Sequence, residues 1–287
     1  MIPVKDNIPT LRFPLVTVLL IVANVAVFAW QTTLSGSSYS SAAFRQLGVA
    51  ESDQAVLEYG AIPYRLTHPG KGCAVGLTLG RASQPRSTVV CQGTGAYAEA
   101  QALRERGAPF APLGGPPWWA TALTSIFMHG GLLHIGFNML FLWIFGNNVE
   151  DSMGRGRFIL FYLLAGVAAA YAQALPDTGA TQPAIGASGA IAGVMGGYVL
   201  LYPAARVLSV VIIIFFATLV EVPALIWIGI WFVLQFLPAV GQVATPDVSA
   251  SGGGIAYMAH VGGFVFGLLA ITFFATRRRR APPPGYA

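Results

Sequence analysis

Six apolar stretches, each long enough or nearly long enough to cross a hydrocarbon core of about 30 Å, constrain this chain more than any other feature. They run from about Pro14 to Trp30, Leu132 to Val149, Phe158 to Leu175, Ser188 to Tyr202, within 207–237, and from Ile255 to Ala275. In lipid, every backbone N–H and C=O needs a partner within the protein, so helices are the expected form. Charged residues make up only 9% of the chain, against roughly 25% in soluble domains. Sixteen Lys and Arg with eleven Asp and Glu cannot cover a soluble protein of 287 residues, so a soluble globular enzyme is excluded. Disorder is excluded by the opposite excess, 55% hydrophobic residues seeking burial. The expectation is an all-α polytopic membrane protein with the lipid bilayer as its surroundings. Its net charge of +5 lies in loops and tails, which makes it a topology signal; no nucleic-acid partner is expected.

The fifth stretch needs arithmetic. As one helix, residues 207–237 would measure roughly 46 Å, too long for a simple crossing. Glu221 followed by Pro223 suits a first helical turn, where negative charge meets the dipole and the missing N–H costs nothing. Span five is therefore expected to start near Glu221, leaving 207–220 as an apolar stretch at the membrane interface. The competing reading makes Glu221 an intramembrane functional acid.

Lys5, Arg12, Arg155, Arg157, Arg206 and Arg277 to Arg280 all fall on one side if the N-terminus is inside, and the short opposite loops 176–187 and 238–254 hold no Lys or Arg. That bias puts both termini in the cytoplasm, with the plasma membrane as the expected location. The first apolar stretch has no convincing small-residue cleavage site before Gln31, so it is expected to stay as an anchor. The chain then divides into a tail and first span (1–31), a long external loop (32–117) carrying an insertion at 66–111, a core of spans two to six (118–276), and a basic cytoplasmic tail (277–287). Cys73 and Cys91 lie in the external loop, where a disulfide closing an 18-residue interval is expected, free thiols being the alternative.

Polar residues within spans are costly and face the bundle interior or a water-filled cavity. His134 and Asn138, four apart, share one face of span two, while His129 lies five residues earlier across two glycines. Span four opens Gly186-Ala187-Ser188-Gly189, and span six reads Ala259-His260-Val261-Gly262-Gly263, with Gly267 one turn on. Gly and Ser at such intervals also serve helix packing alone, and Asn138 also suits an interhelical strut. Their depth carries more weight. Ser188 begins its span, and His260 lies about five residues, roughly 8 Å, into its own. All four polar groups therefore share one shallow outer layer. A hydroxyl, an imidazole and hydrogen-bond donors at one level are the parts required for acyl transfer.

The set His134-x-x-x-Asn138, Gly186-x-Ser188-Gly189 and Ala259-His260-x-x-Gly263-x-x-x-Gly267 resembles the rhomboid family of intramembrane serine proteases. The resemblance covers almost all of 116–275, including Trp118-Trp119, the stretch Phe145 to Asp151, and Pro203-x-x-x-Val207. It implies a bundle of six transmembrane helices and a dyad of Ser188 as nucleophile and His260 as general base, with no acid. It further implies an oxyanion hole from His134, Asn138 and the Ser188 N–H, with His129 in a supporting role. Independently, a serine at a helix N-terminus puts its amide and the positive dipole end where negative charge develops. Gly263 and Gly267 would let span six approach Gly189, Ala192, Gly193 and Gly196 of span four.

The substrates so implied are single-span helices carrying helix-destabilising residues, with a small residue before the scissile bond. They would pass between spans two and five, beneath a movable 238–254 loop; no cofactor and no metal are expected. The family's Trp-Arg pair is missing from 31–117; Tyr64-Arg65 is the nearest analogue and takes no role. The rival reading is a catalytically inactive relative that binds membrane proteins, although such relatives typically lack the Ser or the His. Metalloprotease and aspartyl readings fail, since His-Glu-x-x-His is absent and all five Asp lie in tails or loops. A zinc or transport role for the histidines lacks a nearby carboxylate or thiolate.

Overall fold

A computed structural model describes residues 2–34, 41–79, 84–213, 216–244 and 255–276. Strand β1 (Ile2–Asp6) leads into helix α1 (Leu15–Thr33). The long loop holds α2 (Ala42–Gln46), α3 (Glu51–Tyr59), α4 (Pro63–Thr67), β2 (Cys73–Leu79), β3 (Pro85–Cys91), α5 (Gly95–Glu105) and β4 (Phe110–Pro112). Next come α6 (Thr121–Thr124), α7 (Leu132–Phe141), a π-helical turn at Leu142–Gly146, α8 (Asn147–Met153), α9 (Arg155–Ala174) and α10 (Ser188–Leu201). A hairpin of β5 (Arg206–Ile213) and β6 (Phe216–Pro223) precedes α11 (Ala224–Ala244) and α12 (Tyr257–Phe274).

Among the described residues, five helices are long and apolar enough to cross a membrane: Leu15–Thr33, Leu132–Met153, Arg155–Ala174, Ala224–Gly241 and Tyr257–Phe274. The protein is an integral, multi-pass membrane protein. The fourth expected span, α10, has only 14 residues, about 21 Å. Gly189 to Tyr198 are buried without a break, so α10 is walled by protein rather than lipid and need not match the bilayer thickness. Its packing depends on small residues. A Cβ on Gly263 would overlap the Gly189 carbonyl, one on Gly267 the Gly193 carbonyl, and one on Gly196 the Phe264 carbonyl. The α10 and α12 backbones are therefore in direct contact. Larger side chains (Phe145, Phe158, Phe161, Tyr162, Tyr198, Tyr202) fill the core around them.

Helix α1 begins after Pro14 with no side-chain cap of its own. The cap comes from a distant segment: the Glu150 carboxylate accepts the N–H of Val16 (3.1 Å) and of Thr17 (2.8 Å), and the Thr17 hydroxyl (2.8 Å). Asp151 accepts the Leu11 N–H at 3.1 Å. A carboxylate at the positive end of the helix ties α1 to α8.

Two features correct the sequence reading. Residues 206–223 form an antiparallel hairpin joined by β1 in a sheet of order β1-β5-β6. Glu221 lies on β6, 3.6 Å from Arg206 across the hairpin, and span five starts at Ala224 rather than at Glu221. The β-branched run Val207, Val210, Val211, Ile212, Ile213 fits a pleated strand, and β5 is paired on both sides, by β1 and by β6. Likewise α11 runs on through Pro238 to Ala244, so the expected 238–254 loop starts later; residues 245–254 and the basic tail 277–287 lie outside the described residues.

The long loop carries a sheet of order β3-β2-β4. Cys73 and Cys91 are cross-strand partners joined by a disulfide. The loop docks on the bundle through paired backbone bonds between Ala61 and Ala184 (3.0 and 2.9 Å) and Thr124 donating to the Tyr59 carbonyl (2.7 Å).

Candidate active site

Ser188 is the first residue of α10, so its N–H belongs to the first turn, which has no intrahelical acceptor. The turn before it is set by Gly186, whose N–H donates to the Ser125 carbonyl at 2.8 Å and whose φ of +114° disfavours any side chain. His260 is the fourth residue of α12 and is buried. The Ser188 Oγ lies 2.7 Å from His260 Nε2. Two residues 72 apart in sequence thus meet because the glycine faces of α10 and α12 allow it.

His134 and Asn138, on α7, close the other side. The Gly130 N–H donates to His134 Nδ1 at 3.4 Å. A nitrogen that accepts has its lone pair engaged, so in the neutral ring the proton is on Nε2. That Nε2–H faces the Gly186 turn; a Cβ placed on Gly186 would lie 2.7 Å from it and 3.6 Å from Asn138 Nδ2. Asn138 is buried, and its Nδ2 has no acceptor among the described residues. Two donors therefore converge on the Gly186 turn, two residues before Ser188.

His129 stands behind them. Its ring meets that of His134 edge-on at 5.1 Å, and its Nδ1–H is within 3.2 Å of the Phe127 carbonyl. Burial, helped by the neighbouring His134, lowers the His129 imidazole to about 4, so it is neutral at pH 7. Beside Ser188 a cavity of about 30 Å³ is lined by Ser125, Gly166, Ala169, Gly186, Gly189 and Ala259.

Sequence reasoning missed three glutamines. Gln31, at the end of α1, bonds the His129 backbone twice, accepting its N–H (3.0 Å) and donating to its carbonyl (3.2 Å). Gln173 on α9 accepts the Ala259 N–H at 3.1 Å, capping α12 just before His260. Gln235 on α11 places Oε1 2.8 Å from His260 Nδ1. The available signal was an amide side chain inside an apolar span, where it needs a partner. Tyr64 and Arg65 instead bond the loop backbone, Tyr64 through its hydroxyl to the Gln92 carbonyl at 2.7 Å.

Residues 116–277, more than half of the chain, match the Rhomboid domain. The chain belongs to the rhomboid family. Among relatives, it is 45% identical over 87 residues to "Rhomboid protease GluP" of Bacillus subtilis (strain 168), a match covering 30% of this chain and 16% of that protein. It is 31% identical over 149 residues to "Rhomboid protein 1, mitochondrial" of Saccharomyces cerevisiae, covering 50% of this chain and 39% of that one. To the human "Presenilin-associated rhomboid-like protein, mitochondrial" it is 28% identical over 160 residues, 53% of this chain and 37% of the relative. The match thus spans less than half the length of each of these rhomboid relatives.

Proposed function

We propose that this chain is an intramembrane serine endopeptidase that cleaves transmembrane or juxtamembrane segments of membrane proteins through a Ser188–His260 dyad. The observation that carries this reading is the 2.7 Å contact between Ser188 Oγ and His260 Nε2, with the His134 and Asn138 donors meeting the Gly186 turn two residues before Ser188. His260 Nε2 takes the Ser188 proton as Oγ attacks the scissile carbonyl. The oxyanion accepts from His134 Nε2–H, Asn138 Nδ2 and the Ser188 N–H. His260 then gives the proton to the leaving amine, leaving an acyl ester on Ser188. Water, deprotonated by His260, attacks that ester and restores the hydroxyl.

The substrate is a single membrane-spanning helix. Its backbone bonds hide the carbonyls, so helix-weakening residues must let it open near Ser188. The cavity beside Ser188 is small, in keeping with a small residue before the scissile bond. Access runs between α7 and α11, both of which present exposed apolar side chains: Leu132, Leu133 and Phe137 on one, Ile230, Val233 and Leu234 on the other. The Lys and Arg distribution supports both termini in the cytoplasm of a cell membrane, with the dyad opening outward.

A fluorophosphonate probe on the purified chain tests the reading. Labelling lost in both Ser188→Ala and His260→Ala is the expected result. An intact chain that takes no label is an inactive binder instead.

A further inference from the structure

We infer that Gln235 is a positioning residue for His260, holding its imidazole in the tautomer that can take the Ser188 proton. The inference rests on the protease reading and adds a third member to the dyad. An amide oxygen can only accept, so with Gln235 Oε1 2.8 Å from Nδ1 the proton of the neutral ring sits on Nδ1. Nε2 is then left with its lone pair toward Ser188 Oγ, 2.7 Å away. With the proton on Nε2 instead, the ring could not act as base toward that hydroxyl. When the imidazolium forms, Nδ1–H still donates to Gln235 and Nε2–H faces the reacting centre, so the ring need not turn between steps.

The surroundings of Gln235 support the assignment. It lies in a candidate membrane span whose neighbours Val233, Leu234, Phe236 and Leu237 are exposed apolar residues, while Gln235 itself is half-buried toward α12. An amide in lipid without a partner is costly, and the partner here is the one ring nitrogen that Ser188 does not use. One turn earlier, Trp231 lies 5.9 Å from the His260 ring and 6.5 Å from Phe264, and Phe232 is 4.5 Å from Phe264. These rings fix α11 against α12 at the height where the amide meets the imidazole. Because α11 also borders the proposed substrate path, the orientation of the base depends on where that helix stands.

The test uses the full chain in detergent, with Gln235→Leu and Gln235→Glu; Gln235→Met replaces the Leu variant if it aggregates. Fluorophosphonate labelling is followed against probe concentration. The limiting rate of Gln235→Leu should fall on the order of ten- to a hundred-fold, the range for losing one hydrogen bond to a buried group. The probe concentration giving half that rate should not move, and Gln235→Glu, which keeps an acceptor, should recover most of the rate. Nitrogen NMR of ¹⁵N-histidine protein supplies a readout independent of turnover. With only four histidines, the His260 signals follow by difference from His260→Ala. Intact protein should carry the proton on Nδ1, and Gln235→Leu should show both tautomers. An unchanged limiting rate, an unchanged tautomer in Gln235→Leu, or no recovery in Gln235→Glu overturns the inference. Absence of Ser188-dependent labelling in the intact chain would instead overturn the protease reading, leaving the tautomer measurement standing.

Discussion

Gly186→Ala tests the proposed oxyanion hole where backbone and site geometry meet. At φ +114° an alanine is strained, at a cost on the order of 1–2 kcal/mol. The added methyl would lie 2.7 Å from His134 Nε2, about 0.7 Å short of ordinary 3.4 Å contact. Either the Gly186 turn or the His134 ring must give way, and each moves a donor relative to the Ser188 amide. Losing one such donor outright costs about 10²–10³ in kcat. A partial displacement should therefore lower kcat about 10- to 100-fold, with a drop of a few degrees in melting temperature. Single-turnover cleavage of a reconstituted single-span substrate, read beside thermal unfolding in detergent, separates these effects. Gly136→Ala is the control, since a methyl on that α7 glycine meets nothing within 4 Å. A Gly186→Ala enzyme with intact kcat, or with its loss confined to KM, would refute the placement of the hole.

Two further perturbations address the scaffold. Asp6 accepts from the Tyr198 hydroxyl and Asn148 Nδ2, both at 2.6 Å, but burial outweighs these bonds and pushes its carboxyl up from 3.8 to about 6. Folding therefore favours its protonated form: the contribution is complete below about pH 4 and is lost as pH climbs through about 6, on the order of 3 kcal/mol. Melting temperature should fall across that window and fall less in Asp6→Asn; equal slopes would count against it. Reducing Cys73–Cys91, which closes an 18-residue interval, should destabilise the loop unit by about 3 kcal/mol. Limited proteolysis within 73–112 should then speed up while Ser188-dependent labelling persists, because that unit lies outside the 116–277 domain; unchanged proteolysis would show the bridge to be dispensable.

The hydrocarbon core imposes a length and a solvent that leave few arrangements open, so five spans were legible from apolar runs alone, while the 14-residue α10 falls short of a crossing length. The residues of the candidate site could be picked out for the same reason: Ser188, His260, His134 and Asn138 are polar where polarity is costly, and their positions within the expected spans put them at one expected depth. The run 207–223 was not legible, because a stretch of Val and Ile between spans suits strand and helix alike. Pairing of β5 with β6 across the hairpin, and with β1 some two hundred residues away in sequence, puts this run in a sheet, and span five starts at Ala224. The Glu150 cap on α1 and the reach of Gln31, Gln173 and Gln235 were equally hidden, since a hydrogen bond between distant segments leaves no local pattern.

The sequence by itself determined that this chain lives in a membrane, which groups have chemical potential there, and which glycines let two helices touch. Tertiary structure alone decided which nitrogen of His260 faces Ser188 and which faces Gln235. The physical reason is that burial preference is a property of each residue, whereas the direction of a hydrogen bond belongs to a pair and exists only once the helices are packed.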